Sequence, residues 1–307
     1  MLRPLLCASL FAILGSCSSS SKGGDPSFRV MAAGTPRTYS LHIPETLAHG
    51  QAAPLVIVFH GSGDVGAGIA SMTGFNAVAD REGFVVAYPD AFDHNWNDGR
   101  EVASIFSQSQ NINDIAFTDK VIEDVSGRQA IDTHRIYATG FSNGGLFCHF
   151  LAAQRAKTFA AIAAVGGGIA EPFTAKFHPE AALSVFVIHG TLDPFVPYAG
   201  GEVDYSNNGR VLPMEQTLRL WRESLGCADQ PEKGDLPDRD AADCSTVKWS
   251  RWSGGKTGPE LLLYSVVGGG HAWPGGPQFQ PVEVIGHVCR DFNATEAIWE
   301  FFKKHPK

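Results

Sequence analysis

Polar and apolar positions alternate at the start of the chain and then give way to unbroken apolar runs. Tyr39, Leu41 and Ile43 alternate with polar neighbours, so 28–32 and 37–44, separated by Gly34-Thr35-Pro36, are predicted as two edge strands joined by a turn. Leu55-Val56-Ile57-Val58-Phe59 has no polar interruption, which suits a strand covered on both faces, as in a parallel sheet. Further strands are predicted at 84–88, 159–165, 184–188, 246–252 and 261–267, with another ending at Phe141. Helical spacing is expected from the Gly-rich turn at 61–66 as far as Glu82, and at 114–129, 214–225 and 293–303. Strands alternating with helices imply the α/β class, with a mainly parallel central sheet and helices on both faces. In such sheets ligands bind beyond the carboxyl ends of the strands, where Ser62, Ser142, Asp193 and His271 stand.

The most chemical of these strand ends is Gly140-Phe141-Ser142-Asn143-Gly144. A β-prone run ends in Gly-x-Ser-x-Gly and passes at once into a segment with helical spacing at Leu146, Phe147, Phe150 and Leu151, the layout of a nucleophile elbow. A serine hydroxyl is a weak nucleophile and needs a base beside it and donors for the developing oxyanion. In an α/β-hydrolase fold, chain order then requires an acid after the serine and a histidine after the acid. Asp193 follows the 184–188 strand in a turn pinned by Pro194 and Pro197, and His271 follows the 261–267 strand in Gly268-Gly269-Gly270-His271. Of the histidines after Asp193, His305 sits in the charged tail and His287 in a Pro-flanked loop, which leaves His271 as the base. His60 and His189 precede the acid and are assigned to packing and hydrogen bonding around the loops. The backbone N–H groups of Asn143 and Ser62 are the expected oxyanion donors, so replacing their side chains should cost less than replacing Ser142.

Six pieces together resemble the extracellular polyhydroxybutyrate depolymerase and feruloyl esterase family. They are His60-Gly61-Ser62-Gly63, Trp96-Asn97-Asp98-Gly99-Arg100, Asn113-Asp114-Ile115-Ala116-Phe117, Gly140-Phe141-Ser142-Asn143-Gly144-Gly145, His189-Gly190-Thr191-Leu192-Asp193 and Gly269-Gly270-His271-Ala272-Trp273-Pro274-Gly275-Gly276. The resemblance implies a serine esterase of the α/β-hydrolase fold without metal or cofactor. Asn113, Ala272, Cys148 and Cys289 depart from the family pattern without touching Ser142, Asp193 or His271. Trp96, Arg100 and Trp273 are the candidate substrate-binding residues; Trp273, two positions past the base, should line the cleft or pack beneath it.

Composition changes the picture in two ways. A net charge of −8 over 307 residues, with no basic stripe, excludes a nucleic-acid partner. Met1-Leu2-Arg3-Pro4, the apolar run 5–14 and Gly15-Ser16 read as an export signal at 1–16, too short to span a bilayer. Leu14-Gly15-Ser16-Cys17 resembles a lipobox with Cys17 as the lipidated residue, and the serine-rich 17–27 reads as a tether to one catalytic domain at 28–307. The only membrane contact expected is that lipid anchor. Export makes disulfides permissible. Cys227 with Cys244 is the expected pair, stapling an acid-rich surface loop at 228–243, while Cys148 and Cys289 either pair or stay buried.

The expected function is a secreted or lipid-anchored serine carboxylesterase acting through an acyl-enzyme, of feruloyl type. The alternative enzyme is a depolymerase of poly(3-hydroxybutyrate) or its oligomers, disfavoured because no separate substrate-binding domain follows. A non-catalytic surface lipoprotein on the same scaffold is the alternative of another class.

Overall fold

The computed structural model describes residues 25–48, 50–203, 208–255 and 258–307. The export signal, Cys17 and most of the tether lie outside the described residues. In chain order the elements are β1 (Ser27–Ala32), β2 (Thr35–His42), β3 (Ala53–Phe59), α1 (Gly66–Thr73), α2 (Phe75–Glu82), β4 (Val85–Pro89), the one-turn α3 (Phe106–Ser109), α4 (Asp114–Arg128), β5 (Ile131–Phe141), α5 (Asn143–Arg155), β6 (Ala161–Val165) and β7 (Ser184–Gly190). There follow a short pair β8 (Gly201–Glu202) and β9 (Arg210–Val211), then α6 (Met214–Leu225), β10 (Glu232–Asp235), β11 (Thr246–Ser253), β12 (Glu260–Val267), the one-turn α7 (Val282–Ile285) and α8 (Ala294–Lys304).

Ten of these strands form one sheet in the order β1-β2-β4-β3-β5-β6-β7-β12-β11-β10. Its centre, β4-β3-β5-β6-β7-β12, is parallel, and antiparallel strands close both edges. The unbroken apolar runs are the central strands, as their pattern requires: every residue of β3, β6 and β7 is buried. Successive side chains point to opposite faces. Leu55, Ile57 and Phe59 join the core under α4, α5 and α6, while Val56 and Val58 join the core under α1, α2 and α8. No helix of the described residues is long and apolar enough to cross a membrane.

Three sequence readings change. The helix expected up to Glu82 is two helices, because Gly74 takes a left-handed φ of 66° that ends α1 and starts α2. The acid-rich loop contains β10, whose Glu-Lys-Gly-Asp sequence has no apolar alternation; it pairs with β11 as a polar sheet edge. Among the described residues the cysteines Cys148, Cys227, Cys244 and Cys289 are all free. Ala228 donates to Ser253 at one end of β11, whereas Cys244 precedes Thr246 at the other. Eight residues at about 3.3 Å each separate those ends by over 20 Å, far beyond the Cα separation of about 7 Å that a bridge tolerates. Cys148 and Cys289 belong to cores on opposite faces of the sheet and are likewise unpaired.

Candidate active site

The elbow is built by three backbone contacts that only glycine permits. A Cβ on Gly140 would stand 2.5 Å from the Gly144 carbonyl oxygen, and one on Gly144 would stand 2.3 Å from that of Phe59 and 2.6 Å from that of His60. β5 can therefore turn into α5 flush against the end of β3. Ser142, at the apex, has φ 57° and ψ −121°, a sparsely populated conformation for a residue with a side chain. Its N–H donates to Val165 at 2.9 Å, and its carbonyl accepts from Leu146 at 2.9 Å. The Ser142 side chain does not cap α5.

Asp193 and His271 arrive at the same end of the sheet from the neighbouring strands β7 and β12. His271 Nδ1 lies 2.7 Å from Asp193 Oδ2, and both residues are buried. The other carboxylate oxygen, Oδ1, accepts the N–H groups of Phe195 at 2.9 Å and Val196 at 2.8 Å. His189 Nε2 donates to the Val196 carbonyl at 2.8 Å and stands 3.4 Å from Oδ2. Burial pulls the Asp193 pKa upward, but the adjacent His271 charge and the hydrogen bonds from both histidines outweigh it and hold the carboxyl well below its usual range. An ionised Asp193 keeps the His271 proton on Nδ1 and leaves Nε2 as the basic nitrogen. The Phe141 ring, one residue before Ser142, lies 4.6 Å from the His271 ring, and a Cβ on Gly166, beside Val165, would stand 3.4 Å from that ring. Asp193 and His271 are thus paired, and Phe141, the residue before Ser142, lies against the paired imidazole.

The Asn143 N–H sits at the first turn of α5, and Ser62 lies in the turn after β3, where a Cβ on Gly61 would stand 3.3 Å from the Ser142 Cβ. His60 fixes that turn: its Nδ1 pairs with the Gly61 carbonyl at 2.7 Å and its Nε2 accepts the Ala91 N–H at 3.0 Å. Burial lowers the His60 pKa, consistent with a neutral ring.

Trp96 and Arg100 are enclosed rather than open to a ligand, and Trp273 takes one of its two expected places. Trp96 is 0% exposed, stacks on Phe147, and donates through Nε1 to the His60 carbonyl at 2.9 Å. Arg100 is buried and committed to Asp98 at 2.7 Å and to the Asn208 carbonyl at 2.7 Å. Trp273 is buried against Phe75 and Phe141 and donates to Thr295 at 3.0 Å, so it packs beneath the site. None of the three offers a free surface to a ligand. Trp96 and Arg100 meet around Asp98, which accepts Arg100 Nε, Gln108 Nε2 and Asn143 Nδ2. Asn143 completes the clamp by accepting the Trp96 N–H at 2.7 Å through Oδ1. The sequence signal for Asp98 was present inside the Trp96–Arg100 piece, but a single buried carboxylate does not announce its partners.

Among the described residues, Asp243, Cys289 and Asp291 are the group able to hold a metal ion. Both Asp243 oxygens and Asp291 Oδ1 accept backbone N–H groups of Ser245, Arg290, Arg239 and Asp240, so these carboxylates act as loop clamps.

A family profile described as Phospholipase/Carboxylesterase matches residues 46–212. NocK of Nocardia uniformis subsp. tsuyamanensis, provisionally named an esterase, is 27% identical over 89% of this chain and 80% of its own length. Feruloyl esterase D of Neurospora crassa is 23% identical over 98% of this chain and 95% of its own. Other relatives are longer: the chain spans 42% of the feruloyl esterase B of Piromyces equi, at 25% identity over 77% of this chain. Among solved structures, the acetyl xylan esterase from Aspergillus awamori superposes with a TM-score of 0.58 at 14% identity, covering 80% of this chain and 94% of that one. At that identity the likeness is one of fold.

Proposed function

Because the chain belongs to the phospholipase/carboxylesterase family, we propose that it is a serine carboxylesterase that hydrolyses carboxylic esters through an acyl-enzyme on Ser142. The observation that carries this reading is the 2.7 Å Asp193–His271 pair set beside the strained Ser142 turn. In the first half-reaction His271 Nε2 takes the Ser142 proton as Oγ attacks the carbonyl carbon. The main-chain N–H groups of Asn143 and Ser62 stabilise the oxyanion, and the proton then passes from His271 to the departing alcohol. Water repeats the sequence on the acyl-enzyme and releases the acid. Asp193 keeps the imidazole oriented and stabilises its cationic form.

Relatives named as feruloyl esterases favour a hydroxycinnamoyl or other small acyl ester as the substrate. Residues 28–307 form the catalytic unit in this reading, exported by 1–16 and anchored through Cys17. Labelling of the expressed chain with palmitate, abolished by Cys17→Ser, tests the anchor. The function is tested by assaying p-nitrophenyl acetate and methyl ferulate side by side. Turnover of either ester, lost in Ser142→Ala, is expected; a folded wild-type protein inert on both, or turnover that survives the substitution, overturns the reading. The rate ratio separates a feruloyl-type site from a general short-chain one.

A further inference from the structure

Single apolar side chains scattered over a protein surface carry no message, but a gathered set of them does. Eight large apolar side chains are exposed among the described residues, and five stand on segments that build the site. Val65 lies in the turn after Ser62, Leu192 adjoins Asp193, and Phe279, Val282 and Val284 occupy the stretch whose Ile285 carbonyl accepts the His271 N–H at 2.6 Å. The Phe279 ring stands edge-to-face on Phe141 at 6.1 Å, while Phe141 contacts the His271 ring. Phe195, from the Asp193 turn, meets the same imidazole edge-on at 5.1 Å.

This stretch is held in place rather than loosely attached. Gln278 Nε2 donates to the carbonyls of Gln280 at 2.8 Å and Gly286 at 3.0 Å, and its Oε1 accepts the Val288 N–H at 3.3 Å. Gly286, at φ 77°, lies so close to Gly270, next to His271, that a Cβ on it would come within 2.7 Å of the Gly270 Cα. An apolar face fixed in this way before binding loses little freedom when a ligand covers it. Phe279 and His271 stand 6.1 Å and 4.6 Å from the one Phe141 ring, so the exposed ring and the imidazole share a neighbour. For an aromatic ligand, edge and face contacts between rings add to the apolar area buried.

We propose that Phe279, flanked by Val282 and Val284, is the specificity-determining wall of the site and receives an aromatic or similarly broad apolar group of the ester. The proposal rests on the serine-esterase reading above. Its test compares the full-length protein with Phe279→Ala on methyl ferulate, phenyl acetate and ethyl acetate, which carry an aryl group on the acyl side, on the alcohol side and on neither. The expected result is a fall of about tenfold, or about 1.4 kcal/mol, in kcat/KM for one aryl ester relative to ethyl acetate, expressed mainly in KM. Phe279→Leu should restore part of it, and Val284→Ser should shift the ratio the same way by less. The aryl ester that responds identifies the side of the substrate that the wall holds. An unchanged ratio, whether all three rates fall together or none falls, overturns the proposal. Ser142→Ala run alongside separates the two ideas: turnover surviving in that variant overturns the serine reading whatever Phe279 does.

Discussion

Asn143→Ala removes a side chain that joins the first turn of α5 to the loop at 96–100. Its Oδ1 accepts the Trp96 N–H at 2.7 Å, its Nδ2 donates to the Trp96 carbonyl at 3.2 Å and to Asp98 at 2.6 Å, and the residue is buried. Alanine leaves the Trp96 N–H buried without an acceptor, at a cost of about 1–3 kcal/mol, and removes a hydrogen bond to a buried carboxylate worth about 1.5–3 kcal/mol. Together the loss is about 3–5 kcal/mol, a large share of the roughly 5–15 kcal/mol that holds a domain folded. The expectation from sequence that replacing the Asn143 side chain costs less than replacing Ser142 therefore applies to chemistry and not to folding. The assay is urea denaturation followed by tryptophan fluorescence, with kcat/KM measured on the fraction that remains folded. A lower midpoint at unchanged slope is expected, with turnover far less affected than by Ser142→Ala. A stability change under about 1 kcal/mol would refute the clamp, and turnover as low as that of Ser142→Ala at full stability would refute a main-chain role.

Gly144→Ala should cost about 3 kcal/mol or more, because its Cβ meets the backbone oxygens of β3's end, which cannot move aside; a wild-type thermal midpoint would contradict this. Arg100→Ala strands the buried Asp98 carboxylate and should cost about 3–5 kcal/mol while leaving KM of the folded enzyme unchanged; a raised KM at wild-type stability would return Arg100 to the substrate. His149 is buried on α5, accepts the Trp221 indole N–H at 2.9 Å, and is pushed by burial from 6.5 to about 4. The folded state binds its proton less readily than the unfolded chain, so this stability is complete above about pH 6.5 and is lost as pH falls toward about 4, on the order of 3 kcal/mol in all. Urea midpoints across that window should decline, and His149→Gln should flatten the decline; the same slope in both proteins would remove His149 as its cause.

The parallel core was legible because β3, β6 and β7 are buried on both faces and so carry unbroken apolar runs. The candidate site was legible because Ser142, Asp193 and His271 follow one chain order and each closes a strand. What stayed hidden depends on partners distant in sequence. Trp96 and Arg100 have the composition of ligand contacts, yet Asp98, Asn143 and Phe147 enclose them, and only the fold brings those residues together. Cys227 and Cys244 stand close in sequence, but β11 holds their surroundings at its two ends. Phe279 lies in a stretch without periodicity, and nothing local marks its approach to Phe141. The loop of β10 has too few apolar residues to signal a strand that only its pairing with β11 defines.

The most direct test of the central claim is intact-protein mass spectrometry after treatment with diethyl p-nitrophenyl phosphate. Attack by Ser142 Oγ on phosphorus forms a stable P–O bond and expels p-nitrophenolate, leaving one diethyl phosphoryl group on the enzyme. The account predicts a single adduct per chain, located on Ser142 by peptide mapping, absent in Ser142→Ala and formed far more slowly in His271→Ala. An adduct that forms undiminished in Ser142→Ala, or that maps to another residue, would contradict it.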